Sequence, residues 1–181
     1  ARFNYRKASH LNTEDNQLNY KIACTYMNEG IWDSAIKNLE IAMRIHRLQP
    51  EYNLAMGQCY MELDKLDDAI TYFGNVVRVR PKNINGWIEL LKCLYKAEML
   101  EEALEYANFA FEQTDGKPIF LFYKSAFLYA LGRSKEALLH LETGMSRNPK
   151  LIKKFIEINP AILQVQQVVD LIARYKKRNS L

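Results

Sequence analysis

The sequence predicts an all-α fold of stacked antiparallel helix pairs, and three observations carry that prediction. Short turn signals recur every 34 residues, at Glu29-Gly30, Asp64-Lys65, Glu98 and Gly132. An alanine recurs at the same interval, as Ala35, Ala69, Ala103 and Ala137, and one step back lands on Ala1. Each half-period between these marks carries apolar residues at i, i+3, i+4 and i+7, the spacing of one helix face. A fixed period of this length signals a repeat architecture, in which each unit buries its apolar face against its neighbour.

Taken in order, residues 1–15 read as the second helix of a truncated preceding repeat, whose first helix is absent. Phe3, Tyr5 and Ala8 would then lack part of their packing, so the chain is expected to be a fragment of a longer repeat protein, the alternative being a short helix that ends the array. Four repeats follow, at 16–49, 50–83, 84–117 and 118–151. Position 8 of each is Ala23, Gly57, Leu91 or Ser125, and position 20 is the alanine column. Both positions are expected where paired helices cross, about 8–10 Å apart, so small residues suit them. Position 24 holds the larger Leu39, Phe73 and Leu141, with Ala107 in the third repeat. Pro50 and Pro118 open first helices, where proline's fixed φ is already helical. Asp33, Asp67 and Glu101 open second helices, at the positive end of the helix dipole. Residues 152–181 are expected to form C-terminal degenerate or capping helices: one over Leu151–Ile158, and one over Pro160–Arg178 with Asn159 as its N-cap.

These columns resemble the tetratricopeptide repeat family, with its pattern W-x2-L-G-x2-Y, then A-x3-F, then P. The second repeat matches best, through Met56, Gly57, Tyr60, Ala69, Phe73 and Pro81. The third keeps Trp87 and Leu90 but has Leu91 where glycine is usual, and the fourth has Lys124 at the leucine position. The resemblance implies an all-α, right-handed α-solenoid of stacked antiparallel helix pairs, capped by the C-terminal helices. It also implies a concave groove lined by first helices and used to bind another protein.

Composition excludes several classes. With 49% apolar and 25% charged residues, the chain can bury a core and is not a disordered segment. The longest nearly apolar stretch, Pro118–Gly132, is interrupted by Lys124 and is shorter than the roughly 20 residues of a membrane span. Three cysteines do not make a disulfide framework; the odd number fits a reducing compartment, and a cytoplasmic location is expected. From Pro149 onward, seven basic residues (Lys150, Lys153, Lys154, Arg174, Lys176, Lys177 and Arg178) face two acidic ones, Glu157 and Asp170. That local +5, against +4 for the whole chain, leaves −1 for residues 1–148. A basic feature confined to the C-terminus argues against a nucleic-acid face.

No catalytic constellation is legible. His10, His46 and His140 share no face and no metal-ligand spacing. Cys59 and Cys93 stand at position 10 of neighbouring repeats, roughly a helix diameter apart, beyond the about 7 Å reach of a disulfide. No phosphate-binding loop, nucleophile elbow or C-x-x-C occurs. The expectation is a non-enzymatic chain with no cofactor, no metal site and no small-molecule substrate.

The family's groove positions, carried over residue by residue, nominate a partner-binding row. It comprises Gln17, Tyr20, Cys24 and Met27; Leu54, Gln58 and Met61; Ile88, Lys92 and Tyr95; and Phe122 and Tyr129. Position 5 is uncharged throughout and position 9 offers only Lys92, which argues against a clamp for a peptide's C-terminal carboxylate. An apolar row with a few amides suits a peptide or helix of a partner protein laid along it. The first helix of the fourth repeat is apolar almost all round, through Phe120, Phe122, Tyr123, Phe127, Leu128 and Tyr129. Such a helix is normally buried on every side, so the C-terminal helices are a second candidate cover for Phe122 and Tyr129. Two further readings stay open: a regulatory module of a larger multidomain protein, and a nucleic-acid contact through the basic tail. Apolar array ends also leave self-association open.

Overall fold

The computed structural model describes residues 15–179, apart from the side chains of Lys176, Arg178 and Asn179. The helix expected over residues 1–15 lies outside the described residues, except for Asp15, which instead caps the helix that follows. Among the described residues there are ten α-helices, two 3-10 turns and no strand. The chain divides into two compact units, residues 1–93 and 94–181.

The first unit holds α1 (Asn16–Asn28), α2 (Trp32–Met43), α3 (Pro50–Glu62), α4 (Leu66–Val79) and most of α5 (Ile84–Lys96). Helix α1 starts where the Asp15 carboxylate accepts from the Leu18 N–H at 2.9 Å, and α3 starts at Pro50. The core is continuous across α1, α2 and α3, from Ile22, Ala23 and Tyr26 through Ala35, Leu39 and Ala42 to Tyr52, Met56 and Cys59. At the α3–α4 crossing, a Cβ added to Gly57 would stand 2.5 Å from the buried Phe73 ring. Only glycine leaves room for that ring at position 8 of this pair.

The second unit holds α6 (Leu100–Gln113), α7 (Ile119–Ala130), α8 (Ser134–Arg147), α9 (Ile152–Ile158) and α10 (Gln166–Asn179). Its α7–α8 crossing solves the packing problem differently. Ser125 is small enough to sit there, and its hydroxyl donates to the Ala137 carbonyl at 2.8 Å. Lys124, at the family's leucine position, lays its ammonium 5.6 Å from the centre of the Phe111 ring. Burial lowers its pKa, and the ring face offsets part of the cost of holding the charge there.

All four alanines of the column are fully buried. The backbone repeats with the sequence. Gly30 and Gly132 have φ of 71° and 75°, and Asp64 and Glu98 both have φ of 59°. Each is a single left-handed residue that reverses the chain at a helix end. The next residue's N–H then closes on a carbonyl five residues back: Ile31 to Tyr26 (2.9 Å), Lys65 to Tyr60 (2.9 Å), Met99 to Leu94 (3.0 Å) and Arg133 to Leu128 (2.8 Å). Acidic residues occupy the first turns that follow, as Asp33, Asp67, Glu101 and Glu136.

The C-terminal region departs from the expected two plain helices. A 3-10 turn at Pro149–Leu151 precedes α9. The expected long helix from Pro160 is a 3-10 turn (Pro160–Gln164) followed by α10, and Val165 between them is extended, with ψ 106°. Asn159 makes no side-chain cap. The break has a packing reason. In one continuous helix Ile162 and Val168 would point about 120° apart. With Val165 extended, both are buried in one cluster with Phe155, Leu171 and Ile172.

Candidate partner-binding face

In the first unit, Tyr20, Cys24 and Met27 are spaced i, i+4, i+7 on α1, and Leu54, Gln58 and Met61 repeat that spacing on α3. All six are half-buried, whereas their helix neighbours Ile22, Ala23, Ala55 and Met56 are buried. Helices α1 and α3 touch directly. Ile88 on α5 is also half-buried; Gln17 and Lys92 are exposed. The Lys92 ammonium pairs with Glu89 at 2.9 Å.

Local contacts hold this face. The Tyr20 and Tyr52 rings lie 5.0 Å apart, tilted by 37°. Tyr52, which the groove pattern did not nominate, is itself buried and backs Tyr20 from α3. Cys24 lies one turn along from the Tyr20 hydroxyl and influences it. Burial, aided by Cys24 and Glu51, pushes that hydroxyl up to about 12. It therefore stays protonated. Cys59 is fully buried and pushed up to about 11, chiefly by burial, so it is a packed thiol and not a nucleophile. Glu51, at the start of α3, pairs with Arg80 at 2.7 Å and joins α3 to the end of α4. The face is thus nearly uncharged between its rims.

The nominated residues of the second unit are placed differently. Tyr95 is half-buried, its ring stacked 5.7 Å from that of Phe127. Phe122 is fully buried, as expected if the C-terminal helices cover it and not if it lines an open groove. Its ring lies 6.2 Å from Phe155 of α9 and packs over Gly144, where an added Cβ would come within 3.0 Å of it. Ala126, one turn on, is buried in the same cluster. Tyr129 stays half-buried, yet its hydroxyl oxygen is buried with no hydrogen-bond partner. The C-terminal segments therefore cover this stretch of α7. Sequence periodicity marks a helix face and carries no information on which later segment covers it.

No group of three or more His, Cys, Asp or Glu side chains among the described residues could hold a metal ion. His46 is exposed; His140 is half-buried, with its pKa lowered first by burial and then by Lys124. His10 lies outside the described residues. No described helix is long and apolar enough to cross a membrane. Of the basic tail, the side chains of Lys176 and Arg178 lie outside the described residues.

The fold is shared with known proteins. Residues 50–83 match the model of the tetratricopeptide repeat. A crystal structure of MamA superposes with a TM-score of 0.73 at 16% identity, covering 82% of this chain and 87% of that one. A second MamA structure gives 0.68 at 15% identity, covering 90% and 82%. YrrB, described as a TPR protein with an unusual peptide-binding site, gives 0.65 at 20% identity, covering 96% and 80%. Comparison with curated proteins by sequence finds no match. Residues 50–83 thus carry one tetratricopeptide repeat, and the chain shares the helix-pair fold of these solved structures.

Proposed function

We propose that this chain is a non-enzymatic scaffold that binds a peptide or helical segment of a partner protein on its first helices. The contact residues are Tyr20, Cys24 and Met27 of α1, Leu54, Gln58 and Met61 of α3, and Ile88 of α5. One observation carries the reading: seven uncharged, largely apolar side chains are left half-exposed at helical spacing, while neighbours on the inner side of each helix are buried. Unburied apolar groups in an ordered row retain hydrophobic free energy that a partner's apolar side chains can claim. Tyrosine and methionine suit that role, one supplying a rigid amphipathic ring and the other an adaptable thioether. Lys92 is the one cation in the row, so side chains of the partner, not a terminal carboxylate, supply the grip. The peptide-binding site named for YrrB is in keeping with this use of the fold.

The test is affinity capture with the Leu54→Glu/Ile88→Glu variant. Two carboxylates set into the row should abolish recovery of the partner while the helical circular dichroism stays unchanged. Undiminished recovery by the variant overturns the reading.

A further inference from the structure

A second surface lies in the first unit, away from that row. Glu40, Met43 and Arg44 of the α2 end, Arg47 of the following loop, Met56 of α3 and Tyr72 of α4 line a cavity of about 260 Å³. Met56 points about 200° round α3 from Leu54, so the cavity belongs to the opposite side of that helix. Its floor is apolar and firm. Met43 and Met56 are buried, and the Tyr72 ring stacks on Tyr60 at 5.4 Å with the planes only 7° apart. The volume falls below the roughly 300–1,000 Å³ of small-molecule sites and suits one large side chain.

The rim is charged. Arg44 and Arg47 are exposed, and neither side chain makes a hydrogen bond or ion pair with another described side chain. Arg47 stands close enough to oppose the upward shift that burial, Asp68 and Glu40 impose on the Tyr72 hydroxyl. Among the lining residues Glu40 offsets one of the two guanidinium charges and leaves +1, while Asp68 acts on Tyr72 from α4. Both arginines belong to residues 44–49, the connection between the end of α2 at Met43 and the start of α3 at Pro50. The same connection exposes Ile45 and Leu48, at 64% and 47%. The segment Arg44-Ile45-His46-Arg47-Leu48 thus brings basic and apolar groups together beside an apolar cavity.

We propose that this cavity is a second docking site, which takes one aromatic or long aliphatic side chain of a partner protein with a carboxylate of an adjacent acidic residue on Arg44 and Arg47. The apolar side chain fills the space above Met43, Met56 and Tyr72. The carboxylate meets the two guanidinium groups, which bind planar anions with paired donors. The site stands apart from the row of first-helix residues and does not depend on it.

The experiment uses the full chain labelled with 13C at the methionine methyl groups. The probe is the blocked peptide acetyl-Gly-Ser-Phe-Glu-Asp-Gly-amide. The Met43 and Met56 methyl signals should shift with peptide dose through the ring current of the phenylalanine, while Met27 and Met61 stay in place. Replacing Phe by Ala, or Glu-Asp by Gln-Asn, should weaken binding about tenfold or more, as should the variant Arg44→Gln/Arg47→Gln. Absence of any shift at millimolar peptide overturns the proposal. So do shifts at Met27 and Met61 in place of Met43 and Met56, equal binding of the Gln-Asn peptide, or unchanged binding by the arginine variant.

Discussion

Asn53 and Trp87 stand 34 residues apart and close the chain in the same way with different chemistry. The Asn53 amide donates to the Arg47 carbonyl, six residues back, at 2.8 Å. The Trp87 indole N–H donates to the Pro81 carbonyl, also six residues back, at 2.7 Å. Asn53 is fully buried, donates to Gln49 as well, and accepts from the Asn75 amide at 3.1 Å. Asn53→Ala would strand a loop carbonyl and the Asn75 amide, at a cost of about 1–3 kcal/mol. A fall in the urea midpoint at unchanged m-value would report it. His140 supplies a pH-dependent term. Its folded pKa lies below the usual value because burial and Lys124 disfavour the cation. Protons therefore bind the unfolded chain more readily. Stability is full above about pH 6.5 and declines as pH falls below it. His140→Gln should flatten that part of the stability–pH curve measured by thermal unfolding. These side-chain roles were only partly legible in the sequence. Trp87 stood out as a family residue, whereas Asn53 looked like an ordinary polar position on a helix.

At the scale of elements, the turns were the most legible feature. The turn signals at Gly30, Asp64, Glu98 and Gly132 recur with the period, and each of these positions holds a left-handed residue. The C-terminal segments were the least legible. Their apolar spacing fits a helix, but the extended Val165 is set by the need to bring Ile162 and Val168 to one cluster, which local propensity does not encode. Phe155 is the centre of that cluster, fully buried against Phe122. Phe155→Ala should destabilise the second unit by about 3–5 kcal/mol. It should also raise amide exchange in α9 and α10 before that in α8, which hydrogen-exchange mass spectrometry would resolve. Uniform loss of protection across all three would argue against this assignment.

For the whole molecule, the charge distribution separates the candidate modes of binding. Residues 1–148 carry a net −1, and the positive charge is C-terminal. Binding through the uncharged first-helix row should change by no more than about twofold between roughly 0.05 and 0.5 M salt, because little of it is Coulombic. Capture that falls steeply over that range would instead point to the basic tail. The amino-acid order by itself determined the helix pairs, their turns and the small residues at the crossings, because each depends on contacts within one 34-residue period. It also nominated the face that stays uncharged. Only the tertiary structure decided which part of that face is open. Tyr20, Leu54 and Ile88 remain half-exposed, while Phe122, at the same repeat position, is buried under Phe155. Burial there depends on a residue 33 positions away in the chain, and helical periodicity, being a property of single helices, does not register it.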